Sequence, residues 1–88
     1  MKVAFKASFA RDLKHIKDKR LFKNIQEVIE TTKNALDIST LQHLKKMQGH
    51  DNFYRIRSGD HRIGIELVDD QIVFIRVLHR KDVYRYFP

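Results

Sequence analysis

The chain has 88 residues, with 18 lysines and arginines against 11 aspartates and glutamates, a net charge of +7 and a pI near 9.9. This length predicts a single domain, residues 1–88, and 42% hydrophobic residues are enough for a modest core. The lack of cysteine excludes a disulfide framework and thiolate metal sites, and no apolar run has the length of a signal peptide or a membrane helix. We therefore expect a cytoplasmic protein without a membrane partner, whose positive charge favours nucleic acid or an acidic protein.

The N-terminal part of the chain predicts one strand and two helices. Residues 2–6 alternate apolar side chains with lysines, which is typical of an edge strand. A first helix is predicted over residues 9–18 with Ser8 as its N-cap, and a second over residues 21–36 along a continuous apolar stripe. Only the short segment "KDKR" separates the helices, so they are expected to form an antiparallel hairpin.

The C-terminal half predicts three strands in succession. Residues 37–52 are irregular and indicate a long connection or one short helix before the sheet. Strands follow over residues 53–58, 61–68 and 71–79, separated by tight turns. The last strand has apolar residues in both alternation classes, which indicates a central strand covered on both faces or one that floors a groove.

The resulting order of elements predicts an α+β fold. The N-terminal strand and the antiparallel helical hairpin pack on one face of a mainly antiparallel β-sheet, and the other face is left open.

Three arginines are expected to converge on the open face. Residues two apart in a strand point the same way, so Arg55 and Arg57 share one face, and Arg62 and Gly64 of the next strand can face the same side. Gly64 is expected to leave a hollow there or to let another backbone approach. Arginine binds phosphate through a planar, permanently charged fork, and Tyr84 near the end of the chain can stack on a base.

The segments "FYRIRSGDHRIGIE" and "VLHRKDVYRYF" resemble the RelE/ParE superfamily of toxins from type II toxin–antitoxin pairs, and the resemblance covers essentially the whole chain. It implies a RelE-like fold and an endonuclease that cuts mRNA in the ribosomal A site and so inhibits translation. In that reaction the RNA 2′-hydroxyl attacks the neighbouring phosphate, and neither a metal nor a cofactor is needed. The resemblance also implies a cognate antitoxin, expected to be acidic and partly disordered, and a working partnership with the ribosome.

Position by position, the resemblance assigns roles to five of these residues. Arg62, Arg80 and Tyr84 match catalytic positions of the family. Arg55 and Arg57 stand where RelE has lysines, and this departure matters because arginine does not give up its proton near neutral pH. Both are therefore interpreted as phosphate-binding groups that stabilise the negative charge of the transition state.

A different group must then transfer protons, and the candidates are His79, His61 and Tyr84. Histidine titrates near pH 6.5, and some family members use a histidine close to the C-terminus, so His79 is the favoured general acid or base. His61 is expected to contribute to phosphate binding. The histidines lack metal-ligand spacing, and three of them are interpreted as incidental: His15, His43 and His50.

Two other functions remain open at this point. A ParE-like protein with this fold inhibits DNA gyrase by binding and performs no cleavage. A catalytically inactive homologue would bind RNA or ribosomes and leave the message intact.

Overall fold

The computed structural model describes residues 1–88 and contains five strands and three α-helices, joined by turns and one short 3₁₀ segment. In chain order these elements are β1 (Lys2–Phe5), α1 (Ala7–Lys14), α2 (Lys19–Asn34), the 3₁₀ segment (Ile38–Thr40), β2 (Leu44–Lys46), β3 (Phe53–Ser58), β4 (His61–Val68), β5 (Gln71–His79) and α3 (Val83–Tyr86).

All five strands belong to one sheet in the order β1-β5-β4-β3-β2. β1 lies at one edge and runs parallel to β5, while every other neighbouring pair is antiparallel. The α+β fold predicted from the sequence is therefore confirmed, and β5 is a central strand as its apolar pattern indicated. None of the helices combines the length and the apolar character that a membrane crossing requires.

The start of α1 differs from the prediction. Lys6, not Ser8, is the N-cap residue, and the Ser8 hydroxyl donates to the backbone carbonyl of Ile75 at 2.6 Å instead. The Ser8 side chain therefore bonds to β5, whereas the local pattern had predicted that it caps α1. A short connection between the helices was predicted, but it lies earlier in the chain: α1 ends at Lys14 instead of residue 18, and α2 begins at Lys19. Asp18 caps α2 by accepting from two backbone amides of its first turn.

The segment 37–52 was predicted as a long connection or one short helix, and the structure corrects this. It contains the 3₁₀ segment and then β2, a three-residue edge strand that pairs antiparallel with β3. The sequence "LKK" of β2 has too few residues for an alternation to show, so its strand conformation comes from pairing with β3. Its two lysines suit an edge strand.

The main core fills the space between the helices and the sheet. Its largest members, Phe9 of α1 and Phe74 of β5, are fully buried, with ring centroids 5.4 Å apart. The buried residues of this main core are Phe9, Leu21, Ile25, Leu41, Ile56, Ile63, Ile65, Ile72, Phe74 and Val77.

The opposite face of the sheet is only partly open, which corrects the expectation of a bare face. A second cluster of buried residues lies there: Met47, Leu78, Val83 and Phe87. The Phe87 ring occupies the space above Gly64, so close that a Cβ placed on Gly64 would lie 2.7 to 2.8 Å from three ring carbons. The hollow expected at Gly64 therefore exists, but an aromatic ring from the C-terminal segment fills it.

This contact predicts a coupled stability effect. Gly64→Ala should lower the free energy of unfolding by about 1–3 kcal/mol, because the added methyl group forces the Phe87 ring out of place. In a Phe87→Ala background the same change should be neutral or stabilising by about 0.5–1 kcal/mol, since alanine is otherwise the better strand residue. Urea unfolding of the four proteins measures both values, and equal effects in the two backgrounds would contradict the contact.

Candidate nucleic-acid interface

Arginines of β3 and β4 meet on the sheet face that carries the second cluster. Arg57 lies directly opposite Arg62, and Arg55 lies opposite Gly64, so all three side chains leave the same face. Their convergence was predicted from the alternation of the two strands. None of the three forms an ion pair with a carboxylate. This arginine surface (Arg55, Arg57, Arg62 and the nearby Arg80) therefore presents a positive field that an anion can neutralise.

Arg62 lies at the centre of the arginine surface. Its NH1 group donates to two backbone carbonyls beside the β3–β4 turn, both at 2.9 Å, which fixes the guanidinium in place. Burial lowers the pKa of Arg62, and the positive charges of Arg55, Arg57 and Arg80 lower it further. Arg62 is thus repelled by three neighbouring arginines, and a bound phosphate would relieve that repulsion.

Tyr84 reaches the arginine surface because α3 is anchored on either side of it. Val83 is the first residue of this short helix and Phe87 directly follows its end, and both are buried in the second cluster. Tyr84 projects from between them, and its hydroxyl accepts from Nε of Arg55 at 3.2 Å. Tyr84 is 66% exposed, with the Arg55 guanidinium carbon 6.0 Å from its ring centroid, and the exposed part of the ring can stack on a nucleobase.

His43 is a contact that the sequence pattern missed. Its Nδ1 lies 3.1 Å from NH2 of Arg57, and its carbonyl accepts from the Arg57 amide at 3.1 Å. It holds this position with a φ of +63°, a left-handed conformation that is costly for a residue other than glycine. No local signal pointed to His43, because the contact depends on the pairing of β2 with β3.

His61 and His79 form a pair at the end of β4 and β5. They are directly opposite each other, with ring centroids 5.4 Å apart in an edge-on arrangement. Ile63 and Val77, each two residues further into its strand, pack in the main core, so the two rings project toward the helix side of the sheet. The His79 ring therefore packs against the His61 ring, and both rings lie on the opposite face of the sheet from Arg62.

Arg80 follows directly after β5 and sits at the rim of the arginine surface. Its amide donates to the carbonyl of Asp60 at 2.7 Å, and its Nε lies 3.9 Å from the Asp60 carboxylate. The side chain is largely exposed, and its charge acts on Arg62. No three histidine, aspartate or glutamate side chains of the chain lie close enough together to hold a metal ion.

Comparison with known proteins finds toxins of toxin–antitoxin pairs. The family model described as "ParE toxin of type II toxin-antitoxin system" matches residues 3–84. Toxin RelE3 of Methanocaldococcus jannaschii is 47% identical over 89 residues, which cover 100% of both chains.

Solved structures agree with this result. The RelB–RelE antitoxin–toxin complex from Methanococcus jannaschii contains a chain that matches with a TM-score of 0.82 and 44% identity, covering 97% of this chain and 99% of that one. The YoeB dimer from Staphylococcus aureus matches with a TM-score of 0.73 over 90% of this chain and 95% of that one. Its 18% identity shows a shared fold alone.

The histidine pair predicts a titration that two variants shift in opposite directions. Burial lowers the pKa of His61 from its usual 6.5, and the neighbouring His79 lowers it further, whereas Asp60 raises it. His79→Gln should therefore raise the pKa of His61, and Asp60→Asn should lower it. NMR titration of the imidazole signals measures both, and shifts of the same sign would contradict the arrangement.

The same pKa shift predicts how stability depends on pH. The folded-state pKa of His61 lies below its unfolded value, so the unfolded chain binds the proton first as the pH falls. The contribution of His61 to the free energy of unfolding is thus complete above about pH 6.5 and is lost as the pH drops through the folded-state pKa. His61→Gln should remove this part of the pH dependence in urea unfolding experiments, and an unchanged profile would contradict it.

Proposed function

The chain belongs to the RelE/ParE superfamily of toxins from type II toxin–antitoxin systems, and from this membership we propose that it is a ribosome-dependent mRNA endonuclease that inhibits translation. The observation that carries the proposal is the arginine surface, where three arginines without carboxylate partners lie beside the exposed ring of Tyr84. Identity of 47% over the full length of a RelE toxin supports this branch of the superfamily.

The proposed reaction is an attack by the RNA on itself. The 2′-oxygen loses its proton and bonds to the adjacent phosphorus, and the bond from phosphorus to the 5′-oxygen breaks. A proton goes to the leaving oxygen, so the products are a 2′,3′-cyclic phosphate and a 5′-hydroxyl end. Arg62 and Arg80 stabilise the additional negative charge on the phosphoryl oxygens in the transition state. Arg55 and Arg57 bind neighbouring phosphates of the same strand.

Two residues are proposed for the proton transfers. Tyr84 has its hydroxyl on the arginine surface, within hydrogen-bond distance of Arg55. His79 lies at the end of β5 beside His61 and would act on an RNA strand that passes over this end of the sheet, with His61 contributing a phosphate contact. Tyr84→Phe and His79→Ala, compared in one cleavage experiment, assign the role.

The partners proposed for this toxin follow from the same surface. The matched archaeal structure is a toxin bound to its RelB antitoxin. We propose a cognate antitoxin for this chain, acidic and partly disordered, whose carboxylates neutralise the arginine surface and exclude mRNA. Free of the antitoxin, the protein acts in the cytoplasm on mRNA in the ribosomal A site.

Gyrase inhibition is the second candidate, and the family model that matches residues 3–84 favours it because that model describes ParE toxins. A gyrase inhibitor needs a protein-binding surface and no transition-state stabilisation. Under this alternative the arginine surface would contact protein, and wild-type protein would block DNA supercoiling while mRNA stays uncut.

End-mapping of a reporter mRNA in a translating extract tests the proposed function. Wild-type protein should cut only translated message, and Arg62→Ala should cut at least about 100-fold more slowly, because a transition-state contact is lost. Lys33→Ala is the matched control, since it removes one positive charge from the far end of α2 and should leave cleavage unchanged. Equal rates for the two variants would contradict the site, and uncut mRNA with inhibited gyrase would establish the second candidate.

Salt dependence separates phosphate contacts from base stacking. An RNA oligonucleotide with 2′-O-methyl groups lacks the nucleophile, so its binding can be measured without cleavage. Arg55→Ala should reduce the slope of log affinity against log salt by about 0.7, as expected for one lost phosphate contact to a single strand. Tyr84→Ala should keep the slope and weaken binding by about 1–3 kcal/mol. Unchanged slopes for Arg55→Ala would contradict phosphate binding by that residue.

A further inference from the structure

A β-bulge in β5 decides which of its side chains face which side of the sheet. Phe74 lies opposite Ile65 of β4, but the next partner, Gly64, lies opposite Arg76. Ile75 is therefore an extra residue without a partner on β4. An inserted residue of this kind reverses the alternation for everything that follows it in the strand.

The reversal is visible in the packing. Phe74 is in the main core on the helix side, and strict alternation would place residues 76 and 78 on that side as well. Instead Val77 joins the main core, and Leu78 lies on the other face, opposite Arg62 and within the second cluster.

As a result, His79 and Arg80 lie on the opposite faces of the sheet from those that a regular strand would give them. His79, two residues after Val77, points to the helix side and meets His61. Arg80 lies just beyond β5, but its amide donates to the carbonyl of Asp60 at 2.7 Å, which continues the β4–β5 pairing by one residue. Two residues after Leu78, its side chain therefore follows the other face and joins the arginine surface. Without the bulge the two side chains would have the opposite orientations.

Helix α1 holds the bulge through two side chains one turn apart. The Ser8 hydroxyl donates to the carbonyl of Ile75 at 2.6 Å. The Asp12 carboxylate accepts from the amide of Val77 at 2.9 Å and from Nε and NH2 of Arg76 at 2.8 and 3.3 Å. Both backbone groups that flank the irregularity are therefore satisfied by the helix. Asp12 is 16% exposed, which makes its ion pair with Arg76 the most buried in the molecule.

The apolar pattern of β5 shows why the contacts of Ser8 and Asp12 with this strand matter. Val73, Ile75 and Val77 form an apolar series on one alternation class, and Ile72 with Phe74 starts a series on the other. Either series can face a core, so hydrophobicity alone leaves two arrangements of this strand available. The contacts of Ser8 and Asp12 are made to the backbone of the bulged arrangement and stabilise it.

We propose that Asp12 and Ser8 are positioning residues for the nuclease site: by clamping the bulge at Ile75 they direct Arg80 to the arginine surface and turn His79 to the helix side. The activity consequence rests on the proposed function. The structural consequence does not, because the orientation of His79 can be measured in the protein alone.

The first experiment measures that orientation by NMR in wild-type protein, Asp12→Ala, Asp12→Asn and Ser8→Ala. Glu30→Ala is the matched control, since it removes a carboxylate of α2 that pairs with Lys33 and contacts neither histidine nor β5. Wild type and control should show a nuclear Overhauser contact between the rings of His61 and His79. Asp12→Ala should weaken or lose it, and the milder Asp12→Asn and Ser8→Ala keep the measurement available if Asp12→Ala does not fold. An unchanged contact in the folded Asp12 and Ser8 variants would overturn the inference.

The second experiment measures cleavage of translated reporter mRNA by the same proteins. Asp12→Ala should lower kcat by about 10- to 100-fold, the cost expected for a misplaced catalytic group. KM should change less than threefold, because the three strand arginines still bind RNA. Asp12→Asn should recover part of the rate, since its amide oxygen can still accept from Val77, and equal rates for Asp12→Ala and Glu30→Ala would overturn the inference. Wild-type protein that cuts nothing would refute the proposed function and leave the NMR result to decide the role of the clamp.

Discussion

The mutual repulsion of arginines on one sheet face is the constraint on which the rest of this structure depends. Arg55, Arg57 and Arg62 face one another across β3 and β4 without a carboxylate between them. Their guanidinium groups contact backbone carbonyls, the Tyr84 hydroxyl and a ring nitrogen of His43 instead. Such contacts orient a charge without neutralising it, so the field stays available for a polyanion.

Two features of tertiary packing complete the arginine surface. On one flank, Gly64 leaves room for the Phe87 ring, and this docking seats α3 so that Tyr84 reaches Arg55. On the other, the bulge in β5 places Arg80 at the rim. Both features join the functional groups to buried packing, so a change in the core can alter the geometry of the site without touching it. The arginines also shape the chemistry, because groups that keep their protons can stabilise charge but cannot act as bases.

Much of the fold and part of the site could be predicted from the sequence. The bounds of β3, β4 and β5 agree with the segments predicted by alternation and turn residues, and the helical hairpin follows from two apolar stripes with a short connection. The shared face of Arg55, Arg57 and Arg62 also follows, since alternation is a local property of each strand. The strand β2 and the cap of α1 could not be predicted. The strand β2 has too few residues to show a period. The predicted cap residue, Ser8, donates its hydroxyl to the carbonyl of Ile75 on β5 instead.

The sequence alone was thus sufficient to predict the elements other than β2 and α3 and to predict which arginines share a face, because helical and strand periodicity depend only on near neighbours along the chain. The tertiary structure alone decided the covering of the second face by Phe87, the contact of His43 with Arg57 and the separation of His79 from the arginine surface. The physical reason is the same in each case. The deciding contact joins residues far apart in sequence, such as Asp12 and Arg76 at a separation of 64 positions, and no local period records such a contact.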